Sequence, residues 1–136
     1  MTNTDLTSPG FHPVASGQVE RVVESLKAEG WHLYVLPGET AVDRRSFLHA
    51  VSSSLPLDPP LVLHNSWDAM EDSLWQGLLD AAPEKIAILW KRSGELQRRS
   101  SRDFETAVSV FISVAESLGN ESVTGGPTKR VIVLAA

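Results

Sequence analysis

Residues 64–78 read HNSWDAMEDSLWQGL and place three acids, Asp68, Glu71 and Asp72, within five positions, with Trp75 one turn further on. Like charges at helical spacing repel by a few tenths of a kcal/mol, so the crowding asks for a reason. The residue types suggest two. Carboxylates can receive a cationic partner, because charge-assisted contacts to arginine are strong once water is excluded. They can also serve the helix itself: Asn65 or Ser66 is a cap, and acids in the first turn suit the positive end of the helix. Asp72 stands near the limit of that dipole's reach, and a tryptophan beside it fits an interface anchor better than a solvated face. His64 precedes the acids directly. With Asp68 or Asp72 and a nearby serine it could imitate a catalytic grouping, but no nucleophile elbow or oxyanion loop accompanies it.

A helical wheel separates duties within the stretch. Trp67, Met70, Leu74 and Leu78 form one apolar stripe. Asp68, Asp72, Trp75, Gln76 and Leu79 lie away from it, with Glu71 at its edge. The Cβ atoms of Asp68 and Asp72 should be about 5–6 Å apart. Two carboxylates and an indole therefore share a face that the core does not claim.

The elements that must position this face follow from periodicity. Residues 1–16 are polar with Gly and Pro and read as a loose tail. From residue 17 to 30, Val19, Val22, Val23 and Leu26 recur at helical spacing, with Gly30 as a stop. WHLYVLPG reads as a strand. AVDRRSFLHAVSSSL reads as a helix capped by Asp43. Pro56, Pro59 and Pro60 make the next segment a loop, and the acidic helix is expected over about 66–80. EKIAILWK has the nearly continuous apolar pattern of a strand buried on both faces. KRSGELQRRSSR, residues 91–102, reads as a basic, solvated polar linker. A long helix follows, with Phe104, Ala107, Val108, Phe111, Val114, Ala115 and Leu118 inward, and RVIVLAA is a last buried strand. Trp31, Trp67 and Trp90 should be core or half-buried. Strands alternating with helices imply crossovers, hence an α/β domain with a three-stranded parallel sheet packed with helices. Residues 17–136 then form one domain, with 17–30 as an additional N-terminal helix.

The bulk numbers narrow the function. With 136 residues the chain suits one domain, large enough to bury roughly two-thirds of its unfolded surface. There is no cysteine, which removes disulfides and thiolate metal sites. His12, His32, His49 and His64 show no metal-ligand spacing, so neither metal nor cofactor is expected. The net charge of −5 disfavours a nucleic-acid binder and suits a cationic partner. The basic run lacks interleaved aromatics, so it offers no stacking platform for RNA. GGPTK lacks phosphate-loop spacing and reads as a turn. No apolar run approaches the roughly 20 residues of a membrane span. The N-terminal residues lack a signal-peptide pattern, so the expected location is cytoplasmic, for a protein monomeric when free.

NSWDAMEDSL resembles the binding helix of barstar-like ribonuclease inhibitors, whose pattern runs Asn, aromatic or leucine, Asp, Ala, Leu, any residue, Asp, Cys, Leu. The resemblance extends over about residues 31–136: Pro60 before the helix, Trp90 in the following strand, Phe111 in the later helix, and an apolar terminal strand. It implies a small α/β domain without catalysis or cofactor. Such a domain plugs the cationic active site of a secreted, extracellular guanyl-specific ribonuclease resembling barnase, in a 1:1 complex. By position in the motif, Asp72 is the central phosphate mimic and Asp68 the second acidic contact. Trp75 is a packing anchor, His64, Ser66 and Gln76 are flanking contacts, and Glu71 is a rim contact. The chain departs from the pattern at several places. Ser73 stands for the motif Cys, Ser66 for the motif Asn and Glu71 for the aromatic between the aspartates. Ser113 stands where some members carry an acid, and Val62-Leu63-His64 where members often place an aromatic and a Gly. That last departure motivates an alternative, a barstar-like interaction module whose partner is not a ribonuclease.

Overall fold

A computed structural model describes residues 6–61 and 66–136. In chain order the elements are β1 (Gly10–Pro13), a 3-10 turn (Ser16–Gln18), α1 (Val19–Ala28), β2 (His32–Pro37), α2 (Arg44–Ser54) and α3 (Trp67–Asp80). They continue with β3 (Lys85–Lys91), α4 (Ser93–Arg99), α5 (Ser101–Leu118), the short α6 (Glu121–Thr124) and β4 (Arg130–Ala135). The sheet is parallel throughout, in the order β1-β4-β3-β2.

This topology decides where the helices go. The β1-to-β2 connection crosses the whole sheet in one direction, and the β2-to-β3-to-β4 connections return. Right-handed crossovers therefore put α1 on one face and α2, α3 and α5 on the other. The buried clusters divide accordingly. Leu26 and Trp31 pack with Ala87, Leu89, Ile132 and Leu134 on the α1 face. On the other face Phe47, Val51, Met70, Leu74, Leu78, Phe111 and Leu118 pack with Ile86, Ile88, Trp90, Val131 and Val133. The strict alternation along β3 and β4 between the two clusters explains why both strands are apolar at every inner position. Trp90 is the hub of the larger cluster, with ring centroids of Phe47, Phe104 and Phe111 at 5.1, 5.5 and 5.8 Å. Trp31 and Trp90 are buried and Trp67 is half-buried.

Three expectations need correction. The sheet has four strands rather than three, and the fourth, β1, lies in the segment expected to be a loose tail. Its anchor is Phe11, half-buried and edge-on to Trp90 and Phe104 at 6.5 and 6.3 Å. Burial of that ring offsets the entropy of ordering a four-residue strand. Second, the basic run is not a plain linker. Arg92 takes left-handed dihedrals, φ 56°, and turns the chain into α4, whose Leu96 is buried. Third, the inward set of α5 also includes Val110, which is buried, beside Phe104 and Val108, which pack against the core half-buried.

Local signals account for the helix ends. Asp43 forms a reciprocal capping box with Ser46, accepting from its backbone N–H at 2.9 Å. Lys129, buried just before the last strand, donates its Nζ to the carbonyls of Ala81 and Pro83, satisfying acceptors past the end of α3.

Candidate functional site

α3 runs from Trp67 to Asp80, within one residue of the span expected from periodicity. Ser66 caps it, its hydroxyl accepting from the Ala69 N–H at 3.1 Å. Met70, Ser73, Leu74, Gly77 and Leu78 are its buried positions. Ser73 is 4% exposed, so the serine in place of the motif cysteine is a core residue. The preceding loop is docked on the same side of the helix. The Asp58 N–H donates to the Ser73 carbonyl at 3.0 Å. Gly77 lets the Pro56–Leu57 backbone lie directly on the helix, where any Cβ would collide with it.

The other flank of α3 packs on α5 through paired polar contacts one turn apart. The Ser113 hydroxyl donates to Glu71 Oε2 at 2.8 Å, and the Trp75 indole N–H donates to Ser117 Oγ at 2.9 Å. These four residues and Asp72 line a groove of about 230 Å³ between the two helices. Trp75 is thus off the core stripe, as the wheel requires, but it is half-buried rather than free. Its ring is pinned against α5 and forms a wall beside Asp72. Glu71, at the stripe's edge, is half-buried and aimed by Ser113. Gln76 is occupied by Asp80, donating to both carboxylate oxygens at 3.0 and 3.1 Å.

Asp68 and Asp72 differ from these. Both are exposed, and neither has an ion pair or side-chain hydrogen bond among the described residues. The described cations near other acids do not reach them: Arg92 and Arg98 are engaged with Glu95 on α4. A rigid, capped helix therefore presents two uncompensated carboxylates, with the indole and the Glu71 carboxylate alongside. Such a face can take up guanidinium or imidazolium groups at little cost in ordering.

His64 lies outside the described residues, as do Val62, Leu63 and Asn65. Ser117 is not singled out by the sequence, and Ser113 only as the position where some family members carry an acid. Their shared signal is a four-residue spacing on the polar side of α5, which gains meaning when α3 is laid against it. Among the described residues no group of three or more His, Asp or Glu could hold a metal ion, and no helix is long and apolar enough to cross a membrane.

A protein-family model described as Barstar (barnase inhibitor) matches residues 31–125. No curated protein matches the chain. The matched stretch takes in β2 through α6 and therefore the whole acidic helix with its α5 support. β1 and α1 fall before it.

Proposed function

We propose that this chain, which belongs to the barstar family, is an inhibitor of a secreted guanyl-specific ribonuclease, acting from the cytoplasm as an antidote in the manner of an antitoxin. A ribonuclease cleft is cationic because it binds phosphodiesters. Carboxylates on a rigid helix imitate phosphates but offer no bond to cleave. Asp72 takes the central phosphate position and Asp68 a second one. Trp75 supplies an ordered apolar wall next to Asp72, and Ser66, His64, Glu71 and Gln76 flank the contact. Inhibition is steric and electrostatic and calls for no catalysis by this chain.

The observation that carries this reading is the pair of exposed carboxylates, Asp68 and Asp72, unpaired among the described residues, on a helix held on both flanks. A surface whose acids were merely solvated would not need such support. The test is titration of guanyl-specific ribonucleases with the full chain and with Asp72→Ala. Stoichiometric 1:1 inhibition is expected. Each charge-assisted hydrogen bond lost with Asp72 removes about 1.5–3 kcal/mol, roughly tenfold or more in Kd. Equal inhibition by Asp72→Ala would remove the phosphate-mimic assignment. Failure to inhibit any enzyme of the panel would favour the second reading, a family member with a non-ribonuclease partner, for which the Val62-Leu63-His64 segment is the motive.

A further inference from the structure

α3 and α5 lie side by side and run in the same direction. Glu71 meets Ser113, and four residues on in both helices Trp75 meets Ser117, so the pair has one fixed register. The C-terminal ends of the two helices are therefore neighbours. Each is the negative end of its dipole, and dipoles set abreast oppose one another. The carbonyls there also need donors. A single residue serves both ends. The Lys129 backbone N–H donates to the carbonyl of Leu118, the last residue of α5, at 2.8 Å. The Lys129 ammonium reaches the other way. It donates to the carbonyl of Ala81, the residue that caps α3, and to that of Pro83 at 2.7 Å.

Lysine is an uncommon residue for such a place. Lys129 is 9% exposed and is the only charged residue that is buried among those described. No acid is paired with it among the described residues. A buried ammonium is tolerated only where its donors are satisfied, so here the end of α3 stands in for a carboxylate. A neutral donor could cap a carbonyl, but it would not offset the dipoles. Apolar packing of Met70, Leu74 and Leu78 seats α3 on the sheet, but that attraction is non-directional. Directional bonds set the shift and rotation of α3 against α5, and Lys129 is the residue that ties the ends of both helices together.

We propose that Lys129 is a positioning residue of the acidic face, clamping the adjoining ends of α3 and α5 in the register at which Trp75 bonds Ser117 and stands beside Asp72. Ala81 lies six residues past Trp75 and nine past Asp72, about 9 and 14 Å along the helix. Loss of the clamp is thus felt at the indole without any change to the residues that touch a partner. That this register serves inhibition rests on the ribonuclease reading. The register itself does not.

Proton–nitrogen correlation NMR on the full chain reads the register with no partner present. The chain has four tryptophans and so four indole N–H peaks, of which Trp75→Phe identifies the one concerned. Ser117→Ala shows where that peak lies once its acceptor is gone. Lys129→Met keeps the stem, removes the ammonium and should move the Trp75 peak toward the Ser117→Ala position. Asp43→Ala removes a cap on α2 and should leave the peak in place, which separates positioning from a general loss of stability. Lys129→Gln, whose neutral amide is one bond shorter, should move the peak less in the same direction, and it carries the test if Lys129→Met does not fold. Against a guanyl-specific ribonuclease that the unaltered chain inhibits, Lys129→Met should raise Ki by about tenfold, and most of that loss should disappear in the Trp75→Phe background. If the unaltered chain inhibits no such enzyme, the ribonuclease reading falls and the indole peak alone decides the clamp. A Trp75 peak that stays in place, that moves as far in Asp43→Ala, or that moves with no loss of inhibition overturns the proposal.

Discussion

Gly77→Ala separates local propensity from tertiary packing, because the two demand opposite signs. Within a helix, alanine is favoured over glycine by about 1 kcal/mol, so α3 considered alone should gain stability. In the fold, the added methyl would stand 2.6 Å from the Pro56 carbonyl carbon and 3.1 Å from Leu57 Cα, and closer still to the Pro56 oxygen. Ordinary carbon contacts begin near 3.5 Å, and all three neighbours are backbone, which cannot swing aside like a side chain. The loop must retreat by about an ångström or more. Overpacking of that kind costs about 1–3 kcal/mol. The Asp58-to-Ser73 hydrogen bond, at 3.0 Å, would stretch or break, costing about 0.5–1.5 kcal/mol. After the propensity gain, roughly 2 kcal/mol of destabilisation remains, which lowers Tm by about 5–10 °C for a chain of this size. Thermal unfolding followed by circular dichroism reads this directly. The displaced loop leads into residues 62–65 and then the helix cap, so nuclease inhibition should weaken as well. An unchanged or raised Tm would refute the claim that the loop is seated on Gly77.

Trp75→Phe removes the indole donor to Ser117 and should cost about 0.5–1.5 kcal/mol. In a double-mutant cycle with Ser117→Ala most of that cost should appear as coupling, and additivity would mean the bond contributes nothing in solution. Asp43 accepts from the Ser46 hydroxyl and then its backbone N–H, and these bonds hold its carboxyl below the usual carboxylate range. A depressed folded-state pKa gives stability that is present above the unfolded value and lost as pH falls through the folded one. Asp43→Ala should therefore cost about 1 kcal/mol at neutral pH, and urea unfolding should show the gap closing below about pH 4. If electrostatic steering brings the acidic face to its partner, stopped-flow association should slow steeply with added salt while dissociation changes little. A flat salt profile would remove steering from the mechanism.

Much of the acidic site was already legible as a pattern. Trp67, Met70, Leu74 and Leu78 recur at helical spacing, Ser66 is a natural cap, and α3 occupies almost the span they imply. The wheel also separated Asp68 and Asp72 from core duty, because helical periodicity is a local property of consecutive residues, whereas Trp75, placed with them, packs half-buried against the core cluster. The buried strands β3 and β4 and the helices α1, α2 and α5 were readable for the same reason. β1 was not. GFHP is four residues with a Gly and a Pro, too short for any alternation, and it is a strand because β4 already exists and Phe11 finds Trp90 and Phe104. α4 was hidden because SGELQRR offers a single apolar residue, Leu96, and its start depends on the left-handed turn at Arg92.

What the residues determined by themselves is the set of faces: which side of each helix is apolar, where the acids stand, and which strands must be covered twice. Tertiary structure decided what those faces meet. Nothing in the spacing of Ser113 and Ser117 says that Glu71 and Trp75 will lie against them, or that Gly77 will seat the loop, because those partners are distant in sequence. Parallel strand order is likewise a non-local choice, and it set α1 on one face and the acidic helix on the other. Asp68 and Asp72 were visible as acids from the start. Only the packed molecule left them without partners among the described residues, and the proposed inhibition rests on that.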